Sequence, residues 1–336
     1  MRRLALLLSL ATAPGLLRTQ YSITHTYLVG GNGSWDYVVP DPANHRLFIG
    51  RQNRVMVVDD RNGKLIGEVS DINGAHGTAI AAKSGHGFAT SGNDSSIVMF
   101  DLATFKTLGR VHAAEDADAI IYDAPSNRVF SFNGDAHSST VVDPATGKVI
   151  TNIDLGGKPE YGVSAGDGKV YANITDASEV VEIDAKKLAV TRRWSTAPCK
   201  QPVAMAIDTK SHRLFSGCRS GVAAVSDITE GKVVATLPIG QGVDGTAFDP
   251  RSRDAFFSGA DGTLTIIHED SANKYHKVQT VQTAPGGRNM GINPVTHRVY
   301  VVSAKYGPTP DSSASNPRRR PPVLAGSFSI MVIERK

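Results

Sequence analysis

Six charged residues stand at or beside one point of a repeated sequence pattern: Asp36, His76, Asp118, Glu160, Asp244 and Arg288. The aligned position reads Asp36, His76, Asp118, Tyr161, Val203, Asp244 and Arg288, with Glu160 and Asn289 next to two of these. Carboxylates and an imidazole gathered around one axis can hold a divalent cation, and Asp36, Asp118 and Asp244 are the candidate metal ligands. The same set with Arg288 can orient a polar ligand without any metal. Two plainer readings compete. Polar side chains in a wet channel bind only water, and an aspartate before a small residue caps a turn through backbone N–H groups.

These residues converge only if the elements carrying them are arranged around an axis, and the repeat supplies that arrangement. The segments VMVVDDRNGKL, IVMFDLATFKT, TVVDPATGKVI, VVEIDAKKLAV and VAAVSDITEGKV superpose, with turn aspartates at Asp59, Asp101, Asp143, Asp184 and Asp227. Successive aspartates are 42, 42, 41 and 43 residues apart. A sixth copy places Glu269 a further 42 along, and a seventh ends the chain at Glu334. Each period holds four apolar runs of strand length separated by DP, GK, NG and DG turns. Four short strands make one antiparallel sheet with two apolar faces, which it cannot bury alone. Sheets packed radially bury both, so the pattern predicts an all-β, seven-bladed β-propeller with four-stranded antiparallel blades. The seventh period stops after its third strand. Thr24 to Gly30 precede the first complete period and look like a fourth strand, so the N-terminal strand is expected to close the ring.

The repeated D-P-x-x-x-R-[VL]-[FY] pattern, seen in DPANHRLF, DAPSNRVF, DTKSHRLF and NPVTHRVY, and the turn VVDPATGKV carry a resemblance. From about Tyr21 to Lys336 the chain resembles the secreted YVTN-type seven-bladed propeller repeat proteins, which include the YncE-like proteins and belong with WD40/YVTN repeat-like chains. The second repeat, AAKSGHGFAT, lacks the proline and arginine, and the fourth, AGDGKVYA, is shorter. The resemblance implies a secreted or periplasmic protein and a fold. It implies no reaction, because propellers host unrelated functions.

In a propeller the first strand of each blade lines the channel. Its start, the 2–3 loops and the 4–1 connections share one face, here termed the mouth face. His45, His212 and His297 fall instead in 1–2 turns on the opposite face, before Arg46, Arg213 and Arg298. A ring of turns keeps these histidines apart, so they read as turn residues, with the arginines pairing to turn carboxylates. The blade-seven 2–3 loop is an irregular insertion at 305–326, KYGPTPDSSASNPRRRPPVLAG, rich in proline, serine and charge. It belongs to the mouth face, with Arg318, Arg319 and Arg320 as a partner-docking candidate. Cys199 precedes the first strand of blade five and Cys218 ends the second. A disulfide between them is expected in an oxidising compartment, and two separately buried thiols are the alternative.

Residues 1–20 read as a secretory signal peptide: Arg2 and Arg3 precede an apolar run from Leu4 to Ala13 that is too short to span a bilayer. Cleavage is expected between 13 and 20, leaving 21–336 as one domain. A buried N-terminal helix is the alternative. Removing Arg2, Arg3 and Arg18 from the 36 basic residues leaves 33 against 32 acidic ones, so no basic groove for nucleic acid is expected. The sequence contains no CxxCH, HExxH, G-x-S-x-G, Walker or GxGxxG signature, and no cofactor is expected. Two functions remain. One is a secreted or periplasmic non-catalytic scaffold that binds a protein, glycan or small ligand at the channel mouth. The other is a metal-dependent hydrolase or lactonase-like propeller with an axial cation. The scaffold is the leading expectation.

Overall fold

The computed structural model describes residues 20–311 and 321–336. The expected signal peptide, apart from Gln20, and the arginines 318–320 lie outside the described residues. Seven four-stranded antiparallel sheets are arranged as a propeller. Each inner strand packs against the inner strand of the next blade, and the last, Asn289–Ile292, packs against the first, Val38–Asp41.

The second and third strands of each blade are nearly continuous apolar runs because both of their faces are covered by neighbouring blades. In the strand Arg54–Asp59, Val55 and Val57 enter the core shared with blade two, whereas Val58 enters the core shared with blade seven. Every pair of adjacent blades encloses its own core of this kind. Fourth strands lie at the rim and alternate exposed with half-buried residues, as in Val149–Asp154.

The turn aspartates explain the repeat. Asp101, Asp143, Asp184 and Asp227 each accept two backbone N–H groups from residues two and three positions on, which fixes the 3–4 turn. All four carboxyls are held below their ordinary range: at Asp101 by the Thr104 hydroxyl and then the backbone bonds, at Asp143 and Asp184 by the backbone bonds first, and at Asp227 by bonds that outweigh burial, which acts first and in the opposite direction.

Ring closure is made by Tyr21–Leu28, three residues earlier at its start than expected, pairing antiparallel with Ser329–Arg335 from Tyr21↔Arg335 to Leu28↔Ser329. Tyr21 locks the seam. Its hydroxyl donates to Asp254 Oδ2 at 2.6 Å, and its ring meets Phe256 of blade six edge-on at 5.2 Å.

On the opposite face His45, His212 and His297 take left-handed backbone conformations, with φ of 53°, 57° and 62°, and so serve as turn residues. The following arginines pair as expected: Arg46 with Asp41 at 2.6 Å, Arg213 with Asp227 at 2.9 Å and Arg298 with Glu334 at 2.8 Å. Cys199 and Cys218 form the disulfide, with Cα atoms 5.7 Å apart. Among the described residues no helix is long and apolar enough to cross a membrane.

Candidate functional site at the channel mouth

A β-bulge marks the start of the inner strand in blades two to six. The register shifts between Ala75 and Thr78, Ala117 and Ile120, Pro159 and Gly162, Pro202 and Ala204, and Val243 and Gly245. Such a bulge leaves a residue out of the ladder and re-aims its side chain. The residues inside these bulges include His76, Asp118, Glu160, Val203 and Asp244. In blade four Glu160, not Tyr161, follows the paired proline as Asp118 follows Ala117, which moves the sequence alignment there by one residue. In blade one Asp36 sits just before its strand, held by its N–H to Gly50 O at 3.0 Å. Gly50 lets blades one and two approach, since a Cβ there would collide with the His76 carbonyl.

The mouth divides into two halves. In the first, His76 Nδ1 lies 2.6 Å from Asp36 Oδ2 and 3.4 Å from Asp118 Oδ1. One donor atom from each of these residues lies within 4.8 Å of the others, and they form the one potential metal-holding group among the described residues. Asn289 donates to Asp36 Oδ1 at 3.1 Å. Two buried oxygens at this point, Asp118 Oδ1 and Asn289 Oδ1, have no hydrogen-bond partner. Asp118 Oδ1 has only the 3.4 Å approach of the His76 imidazole and so retains capacity for a further donor or cation.

In the second half the charges neutralise each other. Arg288 Nε pairs with Asp244 Oδ2 at 3.1 Å, and Arg219 reaches Glu160 at 2.9 Å and Asp244 at 3.8 Å. Asp244 is therefore engaged by two arginines and lies outside the three-residue group, in which His76 stands with Asp36 and Asp118. Arg219 was not anticipated from sequence. It follows Cys218 directly in a 2–3 turn of the mouth face, and the disulfide anchors the strand end that carries it.

Two aromatic rings lie beneath the mouth. The rings of Tyr37 and Tyr161, from blades one and four, meet across the axis at 5.1 Å, and Tyr37 Oη donates to Glu160 O at 3.5 Å. A cavity of about 10 Å³ lies against both rings and reaches Asp244. The site is thus a cup with an aromatic floor.

Its electrostatics follow from crowding of carboxyls in a sheltered place. Burial pulls the His76 imidazolium down, but the Asp36 hydrogen bond and the charges of Asp118, Asp36 and Asp116 outweigh it and hold the pKa at about 9. Burial, and then Asp36, push the Asp118 carboxyl well above the carboxylate range. Burial raises Glu160 to about 7 against the pull of Arg219, and raises Asp244 against that of Arg288.

A cavity of about 420 Å³ on the opposite face is lined by groups that already satisfy one another: Asp249 holds His297 at 2.9 Å and Ser252 at 3.0 Å. It lacks the orphaned atoms of the mouth.

No family model matches the chain. It is similar to a solved structure of Kuenenia stuttgartiensis hydrazine synthase, with a TM-score of 0.68 and 14% identity over 87% of this chain and 96% of that one. At that identity the likeness concerns the fold alone. A stretch of 132 residues is 27% identical to the pre-rRNA-processing protein IPI3 of Meyerozyma guilliermondii. The match spans 36% of this chain and 27% of that protein, about a quarter of the relative's length.

Proposed function

We propose that the channel mouth is a divalent-cation site formed by Asp36, His76 and Asp118, and that the protein is a secreted YVTN-type propeller hydrolysing a small ester or lactone there. The observation that carries this reading is the convergence of three donor atoms from three adjacent blades, with the buried Asp118 Oδ1 approached only by His76 Nδ1 at 3.4 Å. It favours the metal-dependent alternative over a purely non-catalytic scaffold. A donor set with an imidazole suits zinc, manganese or iron better than calcium, which takes oxygen ligands.

A cation held at this point supplies Lewis-acid polarisation of a carbonyl oxygen. The chain's own residues supply the rest. Glu160, on the blade next to Asp118 and with its pKa at about 7, is suited to take a proton from water and return it to a leaving oxygen. Arg219 and Arg288 orient an anionic oxygen from the facing blades. Tyr37 and Tyr161 form an aromatic base to the cup.

Calorimetric titration of the metal-stripped chain with zinc and manganese tests the reading, together with turnover of a panel of aryl esters and lactones. One metal per chain is expected, lost in His76→Gln and Asp118→Asn, with hydrolysis that follows metal content. Absence of binding in the wild type, or binding indifferent to both substitutions, overturns the site. Stoichiometric metal without turnover returns the protein to the scaffold reading, which the pre-neutralised Arg219–Glu160 and Arg288–Asp244 pairs also suit.

A further inference from the structure

Beside the cup on the mouth face lies a cleft of about 540 Å³, a volume typical of small-molecule sites. Four segments build it: the connection into blade one (Ser34 and Trp35), the 2–3 turn of blade six (Ala260), the connection into blade seven (Pro285 and Gly286) and the base of the blade-seven insertion (Tyr306, Pro321 and Val323). That base is an ordered ribbon. Tyr306 bridges Val323, Gly307 N–H donates to Pro322 O at 2.8 Å, and Leu324 N–H donates to Lys305 O at 2.9 Å.

The walls are flat and apolar, with the rings of Trp35 and Tyr306 6.1 Å apart. Trp35 is held from behind by Phe328 at 5.6 Å, and Phe328 is covered in turn by the buried guanidinium of Arg51 at 3.9 Å. Trp35 is only 8% exposed, with its indole nitrogen shut off from solvent. One polar feature borders this apolar surface. Arg288 lines the cleft while pairing with Asp244 in the cup, so one guanidinium borders both spaces.

We propose that this cleft binds the planar apolar body of a small aromatic anion, with its acidic head at Arg288. The walls select a ring by stacking, and the guanidinium selects the negative charge. The head is thereby directed toward the cup. As a statement of substrate class the proposal rests on the hydrolytic reading above; as a binding site it does not.

The probe is 8-anilinonaphthalene-1-sulfonate, compared with its uncharged analogue N-phenyl-1-naphthylamine, titrated into the full chain in the presence of EDTA. Trp35 and Trp194 are the two tryptophans of the chain, so two indole N–H resonances report the site and an internal reference. One sulfonate should bind per molecule, shifting the Trp35 indole resonance and leaving that of Trp194 in place. Arg288→Gln should weaken the sulfonate about tenfold, the loss expected for one charge-assisted contact, with the uncharged probe changed less than about twofold. Tyr306→Ala, on the insertion and outside the cup, should weaken both probes, and covers the case in which the Arg288 variant does not fold. An unmoved Trp35 resonance, or a sulfonate affinity indifferent to both variants, overturns the proposal. Probe binding as expected in a chain that takes up no metal supports the cleft and removes the metal reading. Metal uptake with an inert cleft does the reverse.

Discussion

Raising the pH of the metal-free protein from 5 to 9 should destabilise it progressively, because the cup gathers groups whose ionisation the fold resists. A tenfold change in proton affinity is worth about 1.4 kcal/mol. Glu160 moves from 4.5 to about 7 on folding, so its contribution is fully present below pH 4.5 and is lost as pH rises through 7, at a cost of about 3 kcal/mol. His76 moves from 6.5 to about 9. The stabilisation of its imidazolium between Asp36 and Asp118 is fully present below pH 6.5 and is lost as pH rises through 9, again about 3 kcal/mol. Their side chains are 13% and 30% exposed, which limits solvent screening. Both groups have Asp36 as a neighbour, so the two losses overlap, and a total nearer 4 than 6 kcal/mol is the order of magnitude expected. The lowered turn carboxyls act below this window. Urea unfolding at fixed pH, with EDTA present, provides the assay. Glu160→Gln should flatten the profile between pH 4.5 and 7, and His76→Gln between 6.5 and 9. A bound metal should reverse the upper slope, since it requires the neutral imidazole. A flat wild-type profile, or a Glu160→Gln variant with the wild-type slope, would refute the reasoning.

Two further outcomes follow from the seam that holds Trp35. Arg51→Met should cost about 3 kcal/mol in thermal or urea unfolding, because the buried guanidinium donates to the carbonyls of Gly30, Asn32, Gly33 and Ser34, and its removal takes that donor from all four, Asn32 O keeping Arg54. Deleting residues 20–28 should abolish the single cooperative transition and yield concentration-dependent association on a sizing column, since it bares the edge of Ser329–Arg335; a monomer that unfolds as the intact chain does would show that the ring needs no closing strand.

The fold was legible because its signal is a physical device repeated at a fixed interval. An aspartate that accepts two N–H groups fixes a 3–4 turn, and a chain that reuses the device every 41–43 residues declares its blades. Alignment also put Asp36, His76 and Asp118 at one inner-strand position, and the structure brings their side chains together there. It erred where geometry departs from counting. The bulge in blade four moves Glu160 into the ring position, and no residue type there announces the shift. It also missed partners that enter from other elements, such as Arg219 from a 2–3 turn. Ring position says which residues face the axis but not which ones meet. Asp36, His76 and Asp118 group because their blades are consecutive, whereas Asp244 stands next to Arg288 and is neutralised by it. The aromatic floor illustrates the same point from packing. One residue beyond the ring position the blades carry Tyr37, Gly77, Ala119, Tyr161, Ala204, Gly245 and Asn289. Gly77 and Gly245 face the next blade, where a Cβ would meet the backbone of Ile120 and of Arg288, and Ala119 lies in the core between blades three and four, so the size of these residues sets how closely blades pack. Which of the larger side chains meet is decided in three dimensions, where the rings of Tyr37 and Tyr161 come within 5.1 Å. The carboxyls beside them are sheltered from water, which is why Asp118 and Glu160 resist ionisation while turn aspartates such as Asp101 and Asp143, which accept turn hydrogen bonds, do not.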